Sequence, residues 1–261
     1  MSNCHGGRYL NYLKYIGEKY YNLDISGRYI YNAFYINKNM EDNLIKEIQE
    51  ADVVLCQLIK SDISIRPYIH HNTIIQLIKP SCKFILIPYI VNINLYWPQI
   101  NTKINSSNFD TIDISDDVRE SHISNAIDKI KICCEGCDFD LSDVIREKYQ
   151  TIKYFRNHED PTGFLFIEGA LKILAILGYH ENEININDPD ISTYVSNDTW
   201  SHSIFSVPIL PLISKKLGLL FDSDNVMQPL SENSKVVYFT AKEYYDFIET
   251  TSYTDFLKIH K

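Results

Sequence analysis

The chain has no run approaching the roughly 20 apolar residues of a membrane-spanning helix, and its opening Met-Ser-Asn-Cys-His-Gly-Gly-Arg lacks the apolar core of a secretory signal. A cytoplasmic protein without a membrane span is therefore expected. It also lacks a dense Lys/Arg cluster, and its net charge is −9, which argues against the basic face that nucleic-acid binding needs. There is no Walker phosphate loop, no Gly-x-Gly-x-x-Gly fingerprint and no Gly-x-Ser-x-Gly elbow. The six cysteines are Cys4, Cys56, Cys82, Cys133, Cys134 and Cys137, and two of them are adjacent, a spacing that no compact disulfide framework requires. Reduced thiols are expected. Cys134 to Cys137 forms one C-x-x-C, but no second pair stands at zinc-ribbon distance, so no metal is expected.

Glycine and proline are sparse at nine each, whereas tyrosine reaches 19, so aromatic rings are available either for a sugar site or for the edges of a core. With 261 residues, 45% of them hydrophobic, the chain can bury a core unaided. Nothing in it reads as a repeat or a long linker. The expectation is a single domain over 1–261, with an α/β part over 1–110 and a mainly helical part over 111–261. Its oligomeric state is not encoded in any legible way.

Apolar residues at Leu10, Leu13 and Ile16, or Tyr9, Tyr12 and Tyr20, predict an amphipathic helix over 6–20 that starts just after Cys4. Residues 29–35 fit a strand, and 39–49 fit a helix with Glu41 and Asp42 in its first turn. The runs 51–57 and 82–88 have the short, continuously apolar character of buried strands, with a helix at 71–78 between them. This alternation predicts an α/β fold: a parallel-type sheet flanked by helices, followed by a predominantly helical C-terminal half. Such sheets carry function beyond the C-terminal ends of their strands, where Gln57 and Tyr89 fall. Helices are expected at 115–134, 141–156, 161–177, 209–217 and 241–258, with a polar loop over 178–200.

Cys4 precedes His5-Gly6-Gly7 and a helix start, where free backbone amides favour a thiolate and supply oxyanion donors. It is a candidate nucleophile, or an incidental residue near the start of the chain. His158, in a polar stretch between two helices, is a candidate proton carrier near neutral pH, or a surface cap. The amides of His5 and Gly6, with the Gln57 side chain, are candidate oxyanion donors. Arg8, Arg28, Lys60 and Arg66 lie near the predicted site loops, where they can meet phosphates or remain solvated surface charges.

These features together resemble a family. Ser2-Asn3-Cys4-His5-Gly6 is similar to the Gly-Asn-Cys-Gln/His-Gly opening of the WcbI family of polysaccharide-biosynthesis acetyltransferases, and Asp52-Val53-Val54-Leu55-Cys56-Gln57 to its Asp-Val-Val-x-x-Gln strand. The segment from Pro88 to Tyr96-Trp97-Pro98, the stretch Cys137 to Ile145, Phe155-x-x-His158 and Val207-Pro208-Ile209-Leu210-Pro211 continue the likeness in order. The resemblance implies transfer of an acetyl group from acetyl-CoA to a hydroxyl or amine of a sugar, free or nucleotide-linked, with Cys4 and His158 as the catalytic pair. It also implies two departures. The family's strand before the Asn-Cys motif is expected to be missing or shortened, and Glu159-Asp160 separate His158 from Pro161 where the family has a His-Pro pair. Two other classes share the residues: a cysteine-dependent esterase or deacetylase acting on acylated glycans, and a non-catalytic carbohydrate-binding module.

Overall fold

The Asp-Val-Val-x-x-Gln run forms strand β1 (Val53–Gln57), which pairs in parallel with β2 (Lys83–Ile87) in the computed structural model. The structure describes residues 4–27, 29–30, 38–58, 71–100, 104, 107–157, 160–179, 184–197, 207–221, 225–230, 235–240 and 242–245. The chain divides into two units with interleaved segments: Met1–Ile90, Lys131–Leu141 and Phe166–Asn185 in the first, Val91–Ile130, Ser142–Leu165 and Ile186–Lys261 in the second.

In the first unit the parallel register sets Val54 opposite Phe84 and Cys56 opposite Leu86. Side chains alternate across a strand, so these four share one face. That face packs on Leu44 and Ile48 of α2 (Lys38–Glu50) and on Ile74 of α3 (His71–Leu77). Leu55, Gln57, Ile85 and Ile87 therefore point to the other face, and Gln57, Ile85 and Ile87 are buried there. The free edge of β2 is closed by Asp138, whose amide donates to the Leu86 carbonyl at 2.9 Å while its carboxylate accepts from the Leu86 amide at 2.6 Å. An acidic side chain thus occupies an edge that would otherwise invite strand addition.

Helix α1 (Cys4–Tyr21) packs against β1. Its buried stripe is His5, Arg8, Tyr9, Tyr12, Leu13 and Ile16, at steps of three and one that keep to one side of a 3.6-residue helix. It begins two residues earlier than the periodicity suggests, so Cys4 is its first residue rather than the residue before it. It ends where Asn22 takes a left-handed φ of 53° and the Leu23 amide reaches back to the Gly17 carbonyl at 3.0 Å, which occupies one of the last carbonyls of the helix. The apolar helix α6 (Gly163–Ile176) supplies Phe166 and Gly169 to this unit. Gly169 is required because a β-carbon there would strike the buried Tyr9 ring.

In the second unit α4 (Asp116–Cys134) starts as expected, with Ser115 Oγ accepting from the Val118 amide at 3.3 Å and two aspartates in the first turn. Helix α5 is a correction: it covers Ser142–Lys148, not 141–156. The chain beyond it is claimed by tertiary bonds. The buried Tyr96 hydroxyl donates to the Ile152 carbonyl at 2.9 Å and accepts from the Tyr154 amide at 3.0 Å, and Phe155 bridges to Pro161. A second correction is α7 (Pro189–Asn197), inside the stretch expected to be loop. Its signals are present in the sequence: Asp188 accepts from the Asp190 amide at 2.8 Å, Pro189 occupies the first turn, and Ile191 and Val195 are buried at i and i+4.

Helix α8 (Pro211–Leu217) is shorter than expected by two residues, starting on Pro211 and stopping at Gly218 with φ 69°. Strands β3 (Asn225–Leu230) and β4 (Lys235–Thr240) form an antiparallel pair that the sequence reading missed. Pro229 within β3 disguises it, because proline removes a ladder donor. Of the helix expected over 241–258, residues 242–245 are helical and 246–258 lie outside the described residues; the strand expected at 29–35 is irregular at 29–30 and otherwise outside them. The fold is thus helix-rich with a small parallel pair, and no helix among the described residues is long and apolar enough to cross a membrane.

Candidate active site

His5 is buried at 5% exposure, with its ring edge-on to Tyr89 at 4.9 Å and to Phe166 at 5.5 Å between centroids. Tyr89 lies two residues beyond the end of β2. The first turn of α1 therefore stands beside the chain that leaves the C-terminal end of the parallel pair, the end at which open α/β sheets place their chemistry. Burial, aided by the neighbouring Arg8 charge, lowers the His5 pKa from 6.5 to about 3. The imidazole is neutral at physiological pH and acts as a wall of the site rather than as a charge.

Cys4 opens α1, and its amide and those of His5 and Gly6 fall in the first turn, where backbone N–H groups have no acceptor within the helix. Gly7 keeps this turn slim, since a β-carbon there would lie 3.2 Å from the Tyr29 ring. Gln57 ends β1 and is 6% exposed, on the face shared with Ile85 and Ile87. Arg8 departs from expectation: it is not a solvated cation but 3% exposed, with its guanidinium 5.0 Å from the centre of the Phe166 ring. Its position three residues after His5 and four before Tyr12 puts it on the buried stripe, where the ring face stabilises the charge. The Cys4 side chain, Arg28, Lys60, Arg66 and His158 lie outside the described residues.

The chain on either side of positions 158 and 159 is firmly bonded. The Arg156 amide donates to the Asp160 carbonyl at 2.9 Å, and the Thr162 amide to the Tyr154 carbonyl at 2.8 Å. Asn157 Nδ2 donates to Asp160 Oδ2 at 3.0 Å while its Oδ1 accepts from the Asp160 amide at 2.8 Å. Asp160, which interrupts the expected His-Pro pair, thus has a structural task of its own.

Other thiols are poor rivals for Cys4. Cys56, Cys82, Cys133, Cys134 and Cys137 are thiols outside any disulfide. Burial raises the pKa of Cys56 and of Cys82, and pushes Cys134 up to about 12, so these three stay protonated and weakly nucleophilic. Among the described residues no cluster of His, Cys, Asp or Glu has the arrangement of a metal site. Sequence reasoning placed Tyr89 beyond the second strand without pairing it with His5, and it missed Phe166, because an aromatic on an apolar helix gives no sign of which ring it will meet.

No protein-family model matches the chain, and no curated protein matches it by sequence. By fold, however, it is similar to a solved enzyme of polysaccharide biosynthesis. That structure is of WcbI, in a native form described as lacking a disulfide bond between coenzyme A and one of its cysteines. The TM-score is 0.60 at 13% identity, and the match covers 99% of this chain and 91% of the other. The chain therefore has a WcbI-like fold.

Proposed function

We propose that this protein is an acetyltransferase that moves an acetyl group from acetyl-CoA to a hydroxyl or amine of a sugar during glycan biosynthesis. What supports the reading is the likeness to WcbI over nearly the whole chain, together with the place of the first turn of α1 beside the C-terminal end of the parallel strands. The donor set suits acyl chemistry. The first-turn amides of Cys4, His5 and Gly6, which have no acceptor within the helix, suit a developing oxyanion, and the neutral, buried His5 adds no competing charge.

Coenzyme A supplies an activated thioester. In the proposed sequence His158 takes the proton from Cys4 Sγ, the sulfur attacks the acyl carbon, and the proton leaves with the departing thiol. The sugar hydroxyl or amine then gives its proton to His158 and takes the acetyl group from Cys4. Gln57 adds a side-chain donor to the oxyanion. For the phosphates of the co-substrate we assign Arg28, Lys60 and Arg66, and we remove Arg8, whose burial gives it to the wall of the site.

The test is release of free thiol from acetyl-CoA in the presence of sugar acceptors. Cys4→Ala and His158→Ala are each expected to abolish it, and Gln57→Ala to slow it by about a hundredfold. Turnover that survives both Cys4→Ala and His158→Ala refutes the assignment. Acetate release from acetylated glycan without coenzyme A would replace the transferase by an esterase.

A further inference from the structure

The second unit holds a cleft of about 500 Å³, within the size range of small-molecule sites, that the proposed chemistry does not use. Its described lining includes Arg119 from α4, Arg146 from α5 and Lys216 from α8, against one carboxylate, Glu120. In a chain of net charge −9 this is a local reversal of sign. Three cations around one concavity repel one another, so the arrangement favours an anion between them.

The present partners of these cations are easily exchanged. Arg119 meets Glu120 at 3.2 Å and Asp116 at 3.7 Å, and Lys216 meets Asp116 at 3.2 Å. Both carboxylates are about two-thirds exposed or more, at 67% and 72%, and such pairs are weak and screened by water. By contrast the Arg119 and Lys216 side chains are only 32% and 27% exposed, so packing already holds them in place. Arg146 is exposed and forms no ion pair among the described residues.

The lining also includes the partly buried side chains of Ile123 and Tyr149, while Ile127 and Leu217 are almost wholly buried behind it. The far rim is fixed by Gln150, whose Nε2 donates to the Leu217 carbonyl at 2.9 Å and whose carbonyl accepts from the Leu220 amide at 2.7 Å. The cleft therefore combines three cationic side chains with the exposed parts of Ile123 and Tyr149.

We infer that this cleft binds a nucleoside diphosphate group, its phosphates among Arg119, Arg146 and Lys216 and its base against Tyr149 and Ile123. Planar guanidinium groups hold phosphate oxygens in pairs, and a dianion outcompetes an exposed carboxylate for them. The group has two possible sources, a nucleotide-linked sugar or coenzyme A itself, the second of which would replace Arg28, Lys60 and Arg66 as partners of the coenzyme A phosphates. The first would name the acceptor of the proposed reaction, and in that respect alone the inference rests on that reading.

The experiment is isothermal titration of the full chain with UDP, ADP, inorganic pyrophosphate and coenzyme A. UDP or ADP should bind more tightly than pyrophosphate, and Arg146→Gln and Lys216→Gln should each weaken binding at least about tenfold. Glu120→Gln, which removes the one carboxylate among the described lining residues, should tighten binding, a gain that misfolding cannot produce. Displacement of UDP by coenzyme A, with the same dependence on Arg146, assigns the group to coenzyme A; simultaneous binding assigns it to a nucleotide-linked sugar. Absence of nucleoside diphosphate binding, or binding indifferent to both Arg146→Gln and Lys216→Gln, overturns the inference. Acetyl-CoA turnover and its loss in Cys4→Ala report on the proposed activity separately, so either idea can fail without the other.

Discussion

Acidification from pH 7 to pH 5 should weaken the fold through His5 by an amount that follows from its burial. The folded-state pKa is about 3 against an ordinary 6.5, because burial and then Arg8 disfavour the charged ring. Below pH 6.5 the unfolded chain takes up a proton that the folded chain refuses until about pH 3. Stability is therefore lost as pH falls through that window and is fully present above it. The slope approaches about 1.4 kcal/mol per pH unit, so roughly 2 kcal/mol should be lost by pH 5 through this residue alone. His122, whose pKa is also lowered by burial against the opposing effect of backbone carbonyls, acts in the same direction. The measurement must therefore be a difference: urea midpoints of wild type and His5→Gln, followed by intrinsic fluorescence at pH 7 and pH 5. At pH 7 the variant should be the weaker by about 1 kcal/mol for its lost ring contacts. By pH 5 the gap should close or reverse. Parallel loss of stability in the two proteins would refute a buried, neutral His5.

Gly169→Ala should destabilise the protein by about 1–2 kcal/mol in the same assay. The gain in helix propensity, about 1 kcal/mol, is outweighed by the clash of the new methyl with the Tyr9 ring. Tyr96→Phe should cost about 1–3 kcal/mol, because it strands the buried Tyr154 amide and Ile152 carbonyl, and should accelerate hydrogen exchange at the Tyr154 amide first. In the folded protein at pH 8, iodoacetamide should modify Cys56 and Cys134 slowly, since burial keeps both protonated; mass-spectrometric mapping that finds them among the fastest sites would contradict the packing of this unit.

Within the candidate site, what was legible followed periodicity and end signals. The stripe of α1, the two apolar strand runs and the span of α4 each depend on residues close together in the chain, and the structure keeps all three. Helix α7 carried comparable local signals in Asp188-Pro189 and Ile191/Val195, which its polar surroundings obscured. The early end of α5 was not legible, because the competitor for its backbone groups is the hydroxyl of Tyr96, more than fifty positions away.

By itself, then, the sequence determined which faces would be buried, since side-chain spacing repeats with the helix or strand that carries it. Only the tertiary structure decided what those faces would meet. It set Arg8 over Phe166 instead of in solvent, closed Tyr89 and Phe166 on His5, and gathered Arg119, Arg146 and Lys216 from three helices around one cleft. Each of these contacts joins residues far apart along the chain, and no local pattern encodes a partner at such a distance.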